Sequence, residues 1–125
     1  MKLNALCKNL LVLTAVYASV ATAGAPIPDQ FHGVWGTAAS CKAWVSKPAQ
    51  RLGAPDDGAD ITKNAIEFGE STCELKRVGK SEPDRLQGSF NCAGEGEEFS
   101  RQIDLTLAKN GTLKIDKGPN LKKCE

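Results

Sequence analysis

Residues 71–94 read STCELKRVGKSEPDRLQGSFNCAG, and the fold follows from how this stretch turns back on itself. Folding about Ser81–Pro83, where Ser, Pro and the neighbouring Asp84 favour a turn, brings Cys73 beside Cys92 and Leu75 beside Phe90. Side chains alternate faces along a strand, so all four fall on one face of the hairpin. The charged residues of ESTCELKR, Glu70 to Arg77, then make its wet face. A covalent Cys73–Cys92 cross-link between neighbouring strands is the local pairing.

The next hairpin, IDLTLAKNGTLKI from Ile103 to Ile115, is decided by register. A two-residue Asn110-Gly111 turn leaves Leu107 facing Lys114 and sends one strand's apolar set to the wrong side. A three-residue loop, Lys109-Asn110-Gly111 with Gly111 left-handed, opposes Leu107 to Leu113 and Leu105 to Ile115. Ile103, Leu105, Leu107, Leu113 and Ile115 are then the inward set.

Working outward, ITKNAIEF (residues 61–68) reads as two strand pieces bent at Lys63-Asn64. The remaining turns are VGKSEPDR, AGEGEE and DKGPN. QFHGVWG (30–36) is an extended segment with Phe31, Gly33 and Trp35 on one side, and AASCKAWV (38–45) makes a short helical turn with Trp44 and Val45 tucked inward. SKPAQRLGAPDDGAD (46–60) combines Pro, Gly and Asp and reads as a loop. Short strands at regular spacing with Gly-rich turns predict an all-β fold: a small antiparallel barrel or sandwich over residues 29–125 with one short helical turn.

Residues 1–23 carry the pattern of a secretory signal peptide. Lys2 and Lys8 make a basic start, Leu10 to Val20 an apolar run too short to span a bilayer, and Ala21 to Ala23 a small-residue cleavage site. The mature chain then starts at Gly24 with a mobile Pro-containing lead-in, residues 24–28. Four of the five cysteines remain, Cys41, Cys73, Cys92 and Cys124, and an even count in an exported domain of this size points to two disulfides. With Cys73 joined to Cys92, Cys41 and Cys124 pair by elimination, as a closed barrel whose first and last segments meet would allow. In the chain-entropy model such bridges stabilise by about 3 and about 4.5 kcal/mol. Zinc would need C-x-x-C spacing or added histidines, which the chain lacks.

FHGVWG, an F-x-G-x-W pattern on the first strand, resembles the opening of the lipocalin-like, or calycin, barrels. The resemblance implies a glycine that permits close approach and a tryptophan that plugs the closed end. It covers six or seven residues directly. The chain is shorter than a lipocalin and more similar in size to small exported bacterial barrels, including the periplasmic inhibitors of proteases and of lysozyme. The S-G-A-R-Y-type signature of the lysozyme inhibitors is missing, so no inhibitory residue is carried over.

Chemistry narrows the function further. With 16 Lys+Arg against 15 Asp+Glu, the net charge of +1 gives no reason to invoke nucleic acid or an anionic membrane. His32 is the single histidine, and strand parity points it to solvent, away from any nucleophile. Glu95, Glu97 and Glu98, and Asp56, Asp57 and Asp60, fall in wet Gly-rich loops without an apolar wall to raise a carboxyl pKa. Neither cluster has the spacing of a calcium loop, no phosphate-binding motif is present, and no cofactor is expected. Asn110-Gly111-Thr112 has the form of a glycosylation acceptor but is equally the hairpin turn.

These readings favour a non-catalytic protein, periplasmic or secreted, that binds another exported protein without stable membrane insertion, for instance an inhibitor or immunity-type factor acting on an envelope enzyme. Carriage of a small apolar ligand inside the barrel is the alternative, and it suffers from lack of room. The candidate contact surface is the long loop with Trp44 at its entry and Lys47, Gln50, Arg51, Asp56 and Asp57 along it. Trp44 has two readings: a core residue packed on the Cys41–Cys124 bridge, or an exposed anchor.

Overall fold

The β4–β5 hairpin dominates the computed structural model, which describes residues 26–46 and 58–124. β4 (Thr72–Glu82) and β5 (Arg85–Gly94) are joined by Pro83-Asp84, so the turn lies slightly later than the expected Ser81–Pro83. Proline, with its preset φ, suits the first of the two turn positions. A straight ladder from this turn would oppose Cys73 to Gly94. Two register shifts in β4, between Leu75 and Arg77 and between Val78 and Lys80, each absorb one residue and restore Cys73↔Cys92 and Leu75↔Phe90. The hydrophobic face governs pairing at one end, the turn at the other, and the bulges reconcile them.

β6 (Glu97–Leu107) returns along β5 from a tight Glu95-Gly96 turn, with both residues at positive φ, 53° and 79°. β7 (Leu113–Ile115) then pairs in the expected register, Leu107↔Leu113 and Leu105↔Ile115. The loop closes through Ala108 N–H to Thr112 O and Gly111 N–H to Ala108 O, both 2.9 Å. Gly111 has φ 88°, as the bulged three-residue loop requires.

The other strands are β1 (Gly33–Gly36), β2 (Ala59–Ile61), β3 (Ala65–Glu67) and β8 (Asn120–Lys123). Each pairs with its sequence neighbours and β8 pairs with β1, closing an antiparallel up-and-down barrel. Both disulfides form as read. Cys73–Cys92 lies across the β4–β5 ladder, and Cys41–Cys124 ties the helix α1 (Ala38–Ser46) to the residue after β8. Among the described residues, no helix is long and apolar enough to cross a membrane.

The interior is filled by Trp35, Ile61, Ile66, Leu86, Phe90, Ile103, Leu105 and Leu113, all buried. One end is plugged by the chain entering β1. Of the expected lead-in 24–28, Ile27 is buried and its N–H donates to Lys63 O at 2.7 Å, so the packed core reaches back to this residue. Phe31 lies in a 3-10 turn (Asp29–Phe31) rather than in the first strand, and its carbonyl accepts the buried Trp35 indole N–H at 3.0 Å. Three local expectations need correction. Val45 points outward, because a helix that buries Ser40 and Trp44, four residues apart, turns the next position to solvent. Ala59 and Asp60 belong to β2 rather than the loop, since pairing with β1 captures them. The VGKSE part of the expected β4–β5 turn is strand.

Candidate functional site

Trp44 is fully buried, and a side chain placed at Gly58 would overlap its indole. It is therefore a packing residue that holds α1 against the chain entering β2, and it cannot serve as an exposed anchor. Its companions in the expected contact surface, Lys47, Gln50, Arg51, Asp56 and Asp57, lie outside the described residues.

His32 does not simply face solvent. Its Nε2–H donates to Ile27 O at 2.6 Å, its Nδ1 stands 3.6 Å from Asp29 Oδ1, and its side chain is 28% exposed. The 3-10 turn changes the parity assumed for a continuous strand and swings the ring back onto the plug. His32 thus latches the N-terminal segment across the closed end. Glu95, Glu97 and Glu98 are exposed at the β5–β6 tip, while Asp60 is half-buried in β2. Among the described residues no group of three His, Cys, Asp or Glu is placed to hold a metal ion.

The opposite end of the barrel, where α1 follows β1 and the chain re-enters at Gly58, holds a cavity among the described residues. This cavity of about 300 Å³ is lined by Gly58, Phe68, Ser71, Arg101, Ile115 and Leu121 among others. Arg101 occupies the inward-facing position two residues before Ile103, opposite Phe90. Its guanidinium lies 4.8 Å from the Phe68 ring centroid, close enough for cation–π attraction. Arg101 Nη2 also donates to Asp116 Oδ2 at 3.0 Å. Asp116, left-handed at φ 55°, accepts Asp104 N–H on its other oxygen and returns its own N–H to Asp104 O. This one aspartate ends the β6–β7 ladder and orients the arginine.

Two residues further out, Phe99 follows the same inward parity but is 43% exposed. It stands directly opposite Cys92, which is itself opposite and bonded to Cys73. An exposed aromatic therefore rests on a covalently stapled ladder, beside the acidic tip. Alternation along FSRQIDL, residues 99–105, places Phe99, Arg101, Ile103 and Leu105 on one face. The signal was in the sequence, but the inward set stopped at Ile103 because nothing local says that β6 outruns its partner β7.

A second ion pair lies on the outer face. Arg85 grips Asp104 with two hydrogen bonds, 3.2 and 2.9 Å, and Gln87 adds a third at 3.1 Å. The hydrogen bond from Arg85 holds the Asp104 carboxyl below the usual carboxylate range, opposed by desolvation and helped by Gln87. This cluster joins β5 to β6.

No family model, curated protein or solved structure matches the chain. The mouth, with its cavity and oriented arginine and the exposed Phe99 further along β6, is the candidate site on physical grounds.

Proposed function

We propose that the protein is a non-catalytic exported binding protein, periplasmic or secreted, which engages another exported protein through the mouth of its barrel. An inhibitor or immunity-type factor acting on an envelope enzyme is the role this suits. The observation that carries the reading is Phe99: 43% exposed, on a strand position opposite the Cys73–Cys92 bridge. Aromatic anchors contribute disproportionately to protein interfaces, and a rigid support lowers the entropy lost when they dock. The non-catalytic part is supported by chemistry already committed elsewhere. His32 latches the plug, and Cys41, Cys73, Cys92 and Cys124 are all disulfide-bonded.

Carriage of a small apolar ligand has less support. The barrel axis is occupied by side chains, so such a ligand would have to use the mouth cavity, where the Arg101–Asp116 ion pair stands. The test is capture of a partner from an envelope or secreted fraction by the wild type and by Phe99→Ala. Loss of one specific partner with unchanged melting supports the reading. Equal capture by both proteins removes Phe99 from the site.

A further inference from the structure

We propose that the free margin of β6 at the barrel mouth, Glu98 to Gln102, is a strand-addition site for an extended, lysine- or arginine-bearing segment of the partner protein. The proposal rests on the binding reading above and names how the partner is held.

β6 runs Glu97–Leu107, but β7 pairs with it only at Leu105–Leu107, and Asp116 covers Asp104. Asp104 turns its N–H and C=O towards the β7 side. Backbone groups alternate sides along an antiparallel strand, so Gln102, Ser100 and Glu98 turn theirs the same way. No strand pairs with them there among the described residues. Donors and acceptors left without a strand partner among the described residues form a ready template for one more strand.

The second open margin of the sheet, β4 beyond Leu75, shows what a protected edge looks like. It carries two bulges, Gly79, and the cations Lys76, Arg77 and Lys80. Bulges and edge lysines are the devices that discourage pairing. β6 has neither a bulge nor a lysine: its register with β5 is unbroken from Arg85↔Thr106 to Gly94↔Glu97, it contains no proline, and its one cation on this margin, Arg101, is turned inward and paired with Asp116. One edge is guarded while the other is straight and regular.

The side chains around the straight edge specify the occupant. An added strand lays alternate residues beside Phe99 and over the mouth cavity of about 300 Å³, which accepts an apolar side chain. Glu95, Glu97 and Glu98 crowd the hairpin tip where that strand enters or leaves, which selects a basic segment by charge complementarity.

The experiment uses the full protein and a synthetic nonapeptide of alternating lysine and valine, with a glutamate–valine peptide as its opposite. Binding is read by anisotropy and by amide hydrogen exchange at Glu98, Ser100 and Gln102. The lysine–valine peptide should bind in preference and protect those three amides. Ser100→Pro removes an N–H that makes no bond to β5, so it should melt like the wild type yet weaken binding by at least about tenfold. The double reversal Glu97→Lys with Glu98→Lys should shift preference to the glutamate–valine peptide. Equal binding by Ser100→Pro, unprotected edge amides, or no binding of either peptide overturns strand addition. Self-association that Ser100→Pro abolishes assigns the margin to a second copy and likewise overturns it. Any of these outcomes together with Phe99-dependent capture leaves the binding reading standing and discards only its mode.

Discussion

At one end of the barrel Ile27, Phe31 and Trp35 are almost wholly buried; at the other, Phe99 and Arg101 stand at inward-parity positions of β6 and remain partly accessible. The two ends use the same antiparallel strands and the same alternation of side chains. What separates them is the chain that arrives at each. At the plugged end the segment from Ile27 to His32 folds across the opening, pinned by Ile27 N–H to Lys63 O and by the His32 side chain on Ile27 O. At the mouth β6 outruns β7, and among the described residues no strand pairs with β6 on that side before Leu105. Inward parity therefore makes a residue a candidate for the core, and a covering element decides whether it becomes core.

Matched phenylalanines break or confirm this contrast most directly. Phe31→Ala at the plug removes a fully buried ring and should destabilise by about 3–5 kcal/mol in chemical denaturation. A loss below about 1 kcal/mol would mean that the plug is an ornament on the barrel rather than part of its core.

Gly33→Ala comes next. Gly33 sits at φ 127°, and a Cβ there would press on the Lys123 stem, whose ammonium lies 5.1 Å from the Trp35 ring centroid. Backbone strain and displacement of Lys123 together should cost about 2–3 kcal/mol. Gly111→Ala is its control: φ is 88° but the space is open, so only the conformational term of about 1 kcal/mol is expected. Equal losses at the two sites would show that crowding at the plug contributes nothing.

A shallower effect belongs to pH. Arg85 holds the Asp104 carboxyl below its ordinary value, so the native state binds that proton less readily than the unfolded chain. The stability contributed is complete above the ordinary carboxylate range and declines as pH falls through that range towards the lowered value. Thermal melts taken across acidic pH should show this limb, and Asp104→Asn should flatten it. Because both side chains are about one-third exposed, the limb should be shallow.

Smallest of all is Phe99→Ala. Removing an exposed ring should move stability by about 0.5 kcal/mol or less while abolishing partner capture. A large destabilisation would place Phe99 in the core and erase the difference between the two ends.

Local patterning carried most of the fold. The Cys73–Cys92 pairing, the Leu107–Leu113 register and the two short strands on either side of Lys63-Asn64 were legible because period-two alternation and turn chemistry act between residues close in sequence. Cys41–Cys124 was legible through elimination, which counts cysteines and needs no geometry. Elements whose environment comes from distant chain were harder to read. Val45 was given the wrong side, and His32 was read as facing solvent although its ring also bonds the plug, because a helix's orientation and a 3-10 turn's parity are set by what they pack on. Trp44 was legible as a choice between core and anchor, and Gly58, a sequence-distant neighbour, decided it.

The sequence by itself determined an antiparallel all-β architecture, barrel or sandwich, its two cross-links and the face each long strand turns inward, since covalent count and alternation are properties of the chain alone. Only the tertiary structure decided which end closes, that two bulges reconcile the Pro83-Asp84 turn with the cysteine pair, and that Phe99 and Arg101 stand at a margin β7 does not reach. Exposure is a relation between a residue and whatever packs beside it; β6 has three strand residues opposite it in β7 and, among the described residues, no paired strand beyond Asp104 on that side. Strand lengths on neighbouring segments set that margin, and no local pattern within β6 contains them.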